Sequence, residues 1–163
     1  MKTIGVISDT HGLLRPEALA ALQGCDLIVH AGDIGTPDVI EALQHLGPVF
    51  AVRGNVDREA GVADYPATQV VEVDGLNLLV LHDVYQLDLD PVAAGIQVVI
   101  FGHSHQPSVT TRRGVLYLNP GSAGPRRFHL PVTVAKLRIE ANQPRAEFID
   151  LQDETSGQIA EEA

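Results

Sequence analysis

The sequence is poor in the residues that define several common protein classes. It has one cysteine, Cys25, no tryptophan, three tyrosines and four phenylalanines among 163 residues. A single cysteine excludes a structural zinc site built from several thiolates and fits a reducing cytoplasm. Because aromatic residues make up 4% of the chain and hydrophobic residues 45%, Val, Leu, Ile and Ala must fill the core.

Positive charge and long apolar segments are also scarce. The chain has 11 Lys and Arg residues against 21 Asp and Glu, a net charge of −10. Such a chain repels nucleic acid and anionic membranes at long range, so we do not expect tight non-specific nucleic-acid binding. No apolar run approaches the roughly 20 residues needed to cross a bilayer. Met1-Lys2-Thr3 leads directly into a strand, which leaves no room for a signal peptide. We therefore expect a cytoplasmic protein with no membrane partner.

The length is typical of one domain that can bury a sizeable core. We expect residues 1–151 to form that domain. Residues 152–163 carry four acidic residues among small and polar ones, which predicts a disordered acidic tail.

The pattern along the chain predicts an α/β fold. Proline opens and glycine closes two segments, which indicates helices from Pro16 to Gln23 and from Pro37 to Leu46, and a short third helix is expected from Pro91 to Gly95. Strands alternate with helices in the first half, whereas Asp-Gly and Arg-Gly pairs at 74–75 and 113–114 indicate hairpins in the second. Such a mixture packs as two mixed sheets face to face, flanked by helices.

Five apolar runs, each typical of a buried strand, are followed closely by polar clusters. In open α/β sheets, functional groups collect where strands end. The clusters supply three oxygen donors and four imidazoles, from Asp9, Asp33 and Asn55 and from His11, His82, His103 and His105. Seven donors are too few for two closed metal sites and about right for two open ones that share a carboxylate.

The types of donor narrow the choice of metal. Asp9 and His11, like His103 and His105, are two residues apart, which in extended chain puts both side chains on the same side. Carboxylate and imidazole together suit Mn²⁺, Fe, Zn²⁺ or Ni²⁺ better than Ca²⁺ or Mg²⁺, which prefer oxygen ligands only. The ligand set predicts two divalent transition-metal ions, with Mn²⁺ the leading expectation and Fe, Zn²⁺ and Ni²⁺ the alternatives.

In the order D-x-H, GD, GN, H and GHSH, these clusters resemble the calcineurin-like metallophosphoesterase superfamily, in particular its small bacterial and archaeal phosphodiesterase branch without accessory domains. The resemblance covers Met1 to about Ile149 and implies a four-layer α/β/β/α sandwich for residues 1–151. It assigns Asp33 as the ligand that bridges both metals. It gives the first metal Asp9, His11 and His105, and the second Asn55, His82 and His103.

The resemblance also implies a reaction. A phosphodiester would be hydrolysed by attack of a hydroxide that bridges the two metals, with no catalytic residue beyond the metal ligands, and the partner would be a small phosphodiester substrate. The segment Leu118 to Ser122 looks like the family's loop at the edge of the site. We therefore expect Asn119 and Ser122, with Arg126 and Arg127 after them, to contact substrate.

Two positions depart from the wider superfamily. Many members have a histidine after the asparagine, where it protonates the leaving group, and here that residue is Val56. The small phosphodiesterase branch that the chain resembles also lacks this histidine, so Val56 favours a phosphodiesterase over a phosphomonoesterase. A general acid is worth about 10²–10⁴-fold in rate, so we expect alkoxide leaving groups to react poorly. Asp83 stands where glycine is usual after the histidine, and it either adds a carboxylate near the second metal or points outward.

Other readings stay open at this point. Some relatives use the fold as a non-catalytic interaction scaffold with degraded metal sites, but every ligand position is filled here. Among the other histidines, His30 is expected to support the site from behind its ligands. His45 is expected to be solvated on a helix, and His129 lies in a turn near the loop expected to contact phosphate.

Overall fold

The computed structural model of the chain describes residues 1–152 and 159–160. In chain order its elements are β1 Lys2–Ile7, α1 Pro16–Leu22, β2 Leu27–His30, α2 Pro37–Gln44, β3 Val49–Ala51, β4 Thr68–Val73, β5 Leu76–Leu81, β6 Val98–Ile100, β7 Ser108–Arg112, β8 Val115–Asn119, β9 Thr133–Glu140, β10 Gln143–Asp150 and β11 Ile159–Ala160. The rest of the predicted acidic tail, at 153–158 and 161–163, lies outside the described residues.

The strands form two mixed sheets, which confirms the predicted fold class. The first sheet has the order β11-β10-β9-β1-β2-β3 and the second the order β4-β5-β6-β8-β7. β1, β2 and β3 are parallel to one another, as are β5, β6 and β8, while the hairpin and terminal strands pair antiparallel. The carboxyl ends of parallel strands lie at one edge of a sheet, so the loops after these six strands meet at a common edge.

Aliphatic side chains fill the space between the sheets. Ile4 and Val6 of β1 pack there against residues such as Leu78 and Ile100 of the second sheet. Residue Ile7, which points to the other face of β1, packs instead against the layer of α1 and α2, with Leu22 and Leu43. Alternate residues of β1 therefore serve two cores, as the two-residue period of a strand requires.

The outer layer on the second sheet corrects one prediction. Residues 91–95 form consecutive turns, with no helix from Pro91 to Gly95. The sheet is covered instead by a 3₁₀ helix at Val84–Gln86 and the chain after it, where Val84 and Leu87 pack on Leu81 and Val99. A one-turn helix has few internal hydrogen bonds, so its position depends on this packing.

Within the described residues, no helix is both long enough and apolar enough to cross a membrane.

Candidate metal centre

The predicted ligands lie in loops that the parallel strands deliver to one edge. Five of the seven have positive φ angles: 57° at Asp9, 48° at His11, 55° at Asp33, 73° at His103 and 65° at His105. Residues other than glycine adopt this left-handed region uncommonly, and such conformations concentrate at functional sites. The backbone therefore bends at each of these positions to turn the side chain toward the shared edge.

The loops assemble two adjacent groups of metal donors. Donor atoms of Asp9, His11 and His105 lie within 4.8 Å of one another, and so do those of Asp33, His82 and His103. The first group is the set that the resemblance assigned to the first metal, and the second joins the expected bridge Asp33 to two of the three residues assigned to the second metal.

The two carboxylates connect the groups. Asp33 Oδ2 lies 3.2 Å from His82 Nε2 in its own group and 3.7 Å from His11 Nε2 in the other. Asp9 Oδ1 lies 3.3 Å from His105 Nε2 and 3.8 Å from His82 Nε2. One oxygen of each carboxylate thus faces imidazoles of both groups.

Asn55, the remaining predicted ligand, is exposed. It lines a pocket of about 500 Å³ together with His82 and His103. An open pocket beside the donors leaves room for a substrate to reach them.

The electrostatics of the site keep its carboxylates ionised. Burial raises the pKa of Asp9, but the nearby imidazoles of His105 and His82 and the hydroxyl of Ser8 together outweigh burial, so this pKa lies below its ordinary value. Burial likewise raises the pKa of Asp33, but the hydrogen bond and charge of His82, the N–H of Val56 and the charge of His11 together outweigh burial and lower this pKa. Metal ligands must be deprotonated, and both carboxylates meet that condition at neutral pH.

The histidines differ in their titration. Burial lowers the pKa of His11 and outweighs the opposing charge of Asp33, so the ring is neutral and free to bind at neutral pH. Burial also lowers the pKa of His82, but its hydrogen bond to Asp33 and the charge of Asp9 reverse the shift and raise this pKa overall. A metal at His82 must therefore displace a proton that the carboxylates help to hold.

Unpartnered buried atoms at the site fit a metal. Within residues 1–152, Asp9 Oδ1 and His11 Nε2 are buried with no hydrogen-bond partner. A buried polar atom without a partner costs about 1–3 kcal/mol, and a divalent cation would satisfy both atoms at once. Together with two ionised carboxylates and neutral imidazole, these atoms make the site suited to divalent metal ions.

Hydrogen bonds from behind fix the orientation of the donors. His82 Nδ1 lies 2.8 Å from the carbonyl oxygen of Ala31, and because a carbonyl only accepts, Nδ1 carries the proton and Nε2 is left to bind. Asp9 Oδ2 accepts from Ser8 Oγ at 2.7 Å and from the backbone N–H of His103 at 3.2 Å. Such contacts orient metal ligands and tune their basicity.

Two glycines are required by close approach at the site. A Cβ at Gly54 would overlap the carboxylate and backbone N–H of Asp33, and a Cβ at Gly102 would overlap the hydroxyl of Ser8 and crowd the carboxylate of Asp9. Any side chain at either position would displace a predicted ligand.

The expectation for His30 is confirmed by a continuous chain of hydrogen bonds. The buried His30 ring accepts from the N–H of Gly32 at its Nδ1, 3.1 Å away, so its proton is on Nε2, 3.0 Å from Thr10 Oγ1. Thr10 in turn donates to the carbonyl oxygen of Ile34 at 2.8 Å. This chain ties the loop of Asp9 and His11 to the loop of Asp33.

Burial lowers the pKa of His30 to about 4, against an ordinary value of 6.5. The folded protein therefore keeps this ring neutral where the unfolded chain protonates it. The free energy of unfolding should fall as the pH drops from 6.5 to about 4, by roughly 3 kcal/mol from this residue. Urea unfolding with a chelator present should show this fall in the parent. The difference in free energy of unfolding between the parent and His30→Gln should shrink by the same amount over this pH interval. A difference in free energy that does not change with pH would contradict the prediction.

Asp57 was not predicted as a site residue. It is buried, and its carboxylate accepts three backbone N–H bonds: from Ile34 at 3.0 Å, from Gly35 at 3.0 Å and from Gly54 at 2.8 Å. It therefore joins the loop of Asn55 to the loop of Asp33. The only signal in the sequence was its place two residues after Asn55.

Two of the predicted substrate contacts hold the loops of the site. Asn119 is buried, donates to the carbonyl oxygen of Gly102 at 3.1 Å and accepts from Gly121 N–H at 2.9 Å. Ser122 is also buried and donates to the carbonyl oxygen of Asp9 at 3.1 Å. Both side chains hold ligand-bearing loops in place, and their contact with substrate stays a prediction.

The other sequence candidates lie at the surface. Arg126 and Arg127 are exposed, and the charge of Arg127 reaches His11, whose pKa it helps to lower. His45 and His129 are exposed as well. Asp83 Oδ1 accepts from the N–H of Tyr85 at 3.0 Å and caps the 3₁₀ helix.

Two mixed sheets carry paired carboxylate and imidazole donors at their common edge. This combination is typical of a metallohydrolase. Residues 1–142 match the model of the calcineurin-like phosphoesterase superfamily domain. The chain is 37% identical over 158 residues to a probable metallophosphoesterase of Methanothermobacter thermautotrophicus, covering 90% of this chain and 91% of that protein. This chain therefore belongs to the calcineurin-like phosphoesterase superfamily and is a metal-dependent phosphoesterase.

Solved structures support the same fold. An archaeal phosphodiesterase is 25% identical with a TM-score of 0.74, covering 90% of this chain and 99% of that one. Vps29 of Chaetomium thermophilum has a TM-score of 0.80 at 19% identity, covering 97% of this chain and 92% of its own. The second likeness is one of fold alone.

Proposed function

We propose that this protein is a binuclear phosphodiesterase that uses two divalent ions, Mn²⁺ first among them, to hydrolyse a small phosphodiester. The observation that carries this proposal is the pair of donor groups in contact through Asp33, beside an open pocket. Similarity to an archaeal phosphodiesterase of known structure supports the choice of diesters. Location in the cytoplasm remains a prediction from the sequence.

Each ligand has a place in this proposal. Asp33 would be shared, while Asp9, His11 and His105 would hold one ion and Asn55, His82 and His103 the other. Divalent cations held by these residues would neutralise the charge of the phosphate and lower the pKa of bound water. Hydrolysis adds the oxygen of a water molecule to phosphorus and breaks one ester bond, which releases an alcohol and leaves a phosphomonoester.

The chain's own residues hold the metal-binding loops in position. Ser8 donates its hydroxyl to Asp9, and Ser104 Oγ accepts from Asn119 Nδ2 at 3.0 Å, so both serines support the loops. Val56 is 46% exposed, and its backbone N–H donates to Asp33 Oδ1 at 3.1 Å. Its side chain has no proton to give, so good leaving groups should react best.

The test compares a diester with a monoester. Protein stripped with a chelator and reloaded with Mn²⁺ should hydrolyse bis(p-nitrophenyl) phosphate faster than p-nitrophenyl phosphate, and stripped protein should be inactive. His103→Ala should lose the activity, whereas replacement of the exposed His45 by alanine should retain it. Hydrolysis near background with Mn²⁺, Fe²⁺, Zn²⁺ and Ni²⁺ alike would defeat the proposal and favour a scaffold. A faster monoester reaction would favour a phosphomonoesterase.

A further inference from the structure

Two clefts adjoin each other at the metal centre. The pocket of about 500 Å³ that reaches Asn55 and His82 is also lined by Asp83 and His103. A second cleft, of about 280 Å³, is lined by the same two residues. Both clefts therefore open onto His103, which belongs to the second donor group.

The 3₁₀ helix at Val84–Gln86 contributes to both clefts. Tyr85 lines the smaller cleft and Gln86 the larger one. The cap from Asp83 fixes the start of this turn, and the packing of Val84 and Leu87 on the second sheet holds it down. The turn is thus a fixed ridge that offers different side chains to each cleft.

The smaller cleft, here called the Tyr85 cleft, offers flat surfaces. The ring of Tyr85 is exposed, with 94% of the residue accessible, and Phe101 lines the cleft beside it. Arg112 also lines the cleft, and its guanidinium carbon lies 4.6 Å from the centroid of the Tyr117 ring. This cation–π contact positions the guanidinium group of Arg112 at the cleft.

The larger cleft is more polar where it approaches the donors. Arg53, Asn55 and Gln86 line it, and their side chains can donate hydrogen bonds. The leaving oxygen of a phosphodiester gains negative charge as its bond to phosphorus breaks, so this cleft suits the leaving arm. The Tyr85 cleft then remains for the arm that stays on phosphorus.

We propose that the Tyr85 cleft binds the retained arm of the diester when that arm is a planar aromatic group, either an aryl ring or a nucleobase. This inference rests on the proposed phosphodiesterase activity for its reaction, and on the cleft's own residues for its ligand. Stacking on Tyr85 and Arg112 supplies affinity and accepts any flat ring. An aromatic retained arm should bind better than a methyl group of the same charge.

Binding of the monoester products tests the cleft without turnover. Calorimetry on Mn²⁺-loaded protein should show tighter binding of phenyl phosphate than of methyl phosphate. Tyr85→Ala and Arg112→Ala should each weaken the binding of phenyl phosphate about five- to tenfold, as expected for one lost stacking contact. The affinity for methyl phosphate should stay unchanged. Adenosine 5′-phosphate is the third probe, and its affinity relative to phenyl phosphate decides between a nucleobase and a simple aryl ring. The matched control is Arg113→Ala, because that neighbouring arginine is 72% exposed and pairs with Asp90 instead.

Turnover then tests which arm the cleft takes. Bis(p-nitrophenyl) phosphate and methyl p-nitrophenyl phosphate share a leaving group and differ in the retained arm. Tyr85→Ala should raise the KM for bis(p-nitrophenyl) phosphate about five- to tenfold and leave its kcat nearly unchanged. Both constants for methyl p-nitrophenyl phosphate should stay nearly unchanged. Tyr85→Phe should restore the parent KM. An equal loss on both substrates would overturn the assignment of the retained arm. Equal affinity of the parent for phenyl and methyl phosphate would overturn the cleft proposal, even if diester hydrolysis is found. If hydrolysis is absent but phenyl phosphate binds through Tyr85, the cleft stands and the phosphodiesterase proposal fails.

Discussion

Replacing Asp33 by asparagine should abolish hydrolysis and reduce the binding of both metals, while the fold stays intact. Asp33 Oδ2 faces His82 at 3.2 Å and His11 at 3.7 Å, so an amide at this position removes a charge from both donor groups. The amide oxygen would keep the hydrogen bond from Val56 N–H, which turns the NH₂ group toward the imidazoles. Asparagine also tolerates the left-handed backbone at this position, where φ is 55°. The sheets should therefore be unaffected.

The expected loss is large. Removing a ligand shared by two ions costs several kcal/mol of transition-state stabilisation, which corresponds to on the order of 10³-fold or more in rate. Elemental analysis should find two Mn²⁺ per chain in the parent and fewer than one in Asp33→Asn, with unchanged circular dichroism. The control is Asp38→Asn, an exposed carboxylate in the first turn of α2. A variant that keeps one full equivalent of metal would show that Asp33 serves a single ion.

Replacing Asp57 by alanine should cause the second large effect, on stability and activity together. Its buried carboxylate accepts three backbone N–H bonds from the loops of Asp33 and Asn55. Bonds to a charged group contribute about 1.5–3 kcal/mol each and are not additive. We expect a loss of about 3–5 kcal/mol in the free energy of unfolding, because alanine leaves all three donors without their acceptor.

Asp57→Ala should also lower the affinity of the protein for metal. The N–H groups of Ile34 and Gly35 directly follow Asp33, so losing Asp57 frees the loop that carries the bridging ligand. Changes behind metal ligands typically cost about 10–100-fold in affinity or activity. Urea unfolding and Mn²⁺ titration of Asp57→Ala, beside Asp64→Ala at an exposed position nearby, measure both effects. A loss of stability with normal metal affinity would show that Asp57 stabilises the fold and does not position the metal ligands.

Much of the fold follows from local pattern. The turn pairs at 74–75 and 113–114 do join β4 to β5 and β7 to β8, because a two-residue turn and alternating strands are set by neighbouring residues. The expected helix at Pro91 to Gly95 is wrong for the opposite reason. A proline followed by small residues permits either a helix or repeated turns, and packing on the second sheet decides between them.

The candidate site also has features that can be read from local sequence and features that depend on the fold. Local sequence was enough to show which residues could be metal donors, because strand ends, glycines and the chemistry of carboxylate and imidazole are all visible in short segments. The supporting roles around the donors depend on the fold. Asp57 acts on backbone groups 22 and 23 residues away, and Asn119 reaches across 17 residues to Gly102. Nothing near Asn119 or Ser122 in the chain shows that their side chains face inward. Long-range hydrogen bonds exist only once the sheets have brought distant loops together, so the roles that depend on them come from the fold.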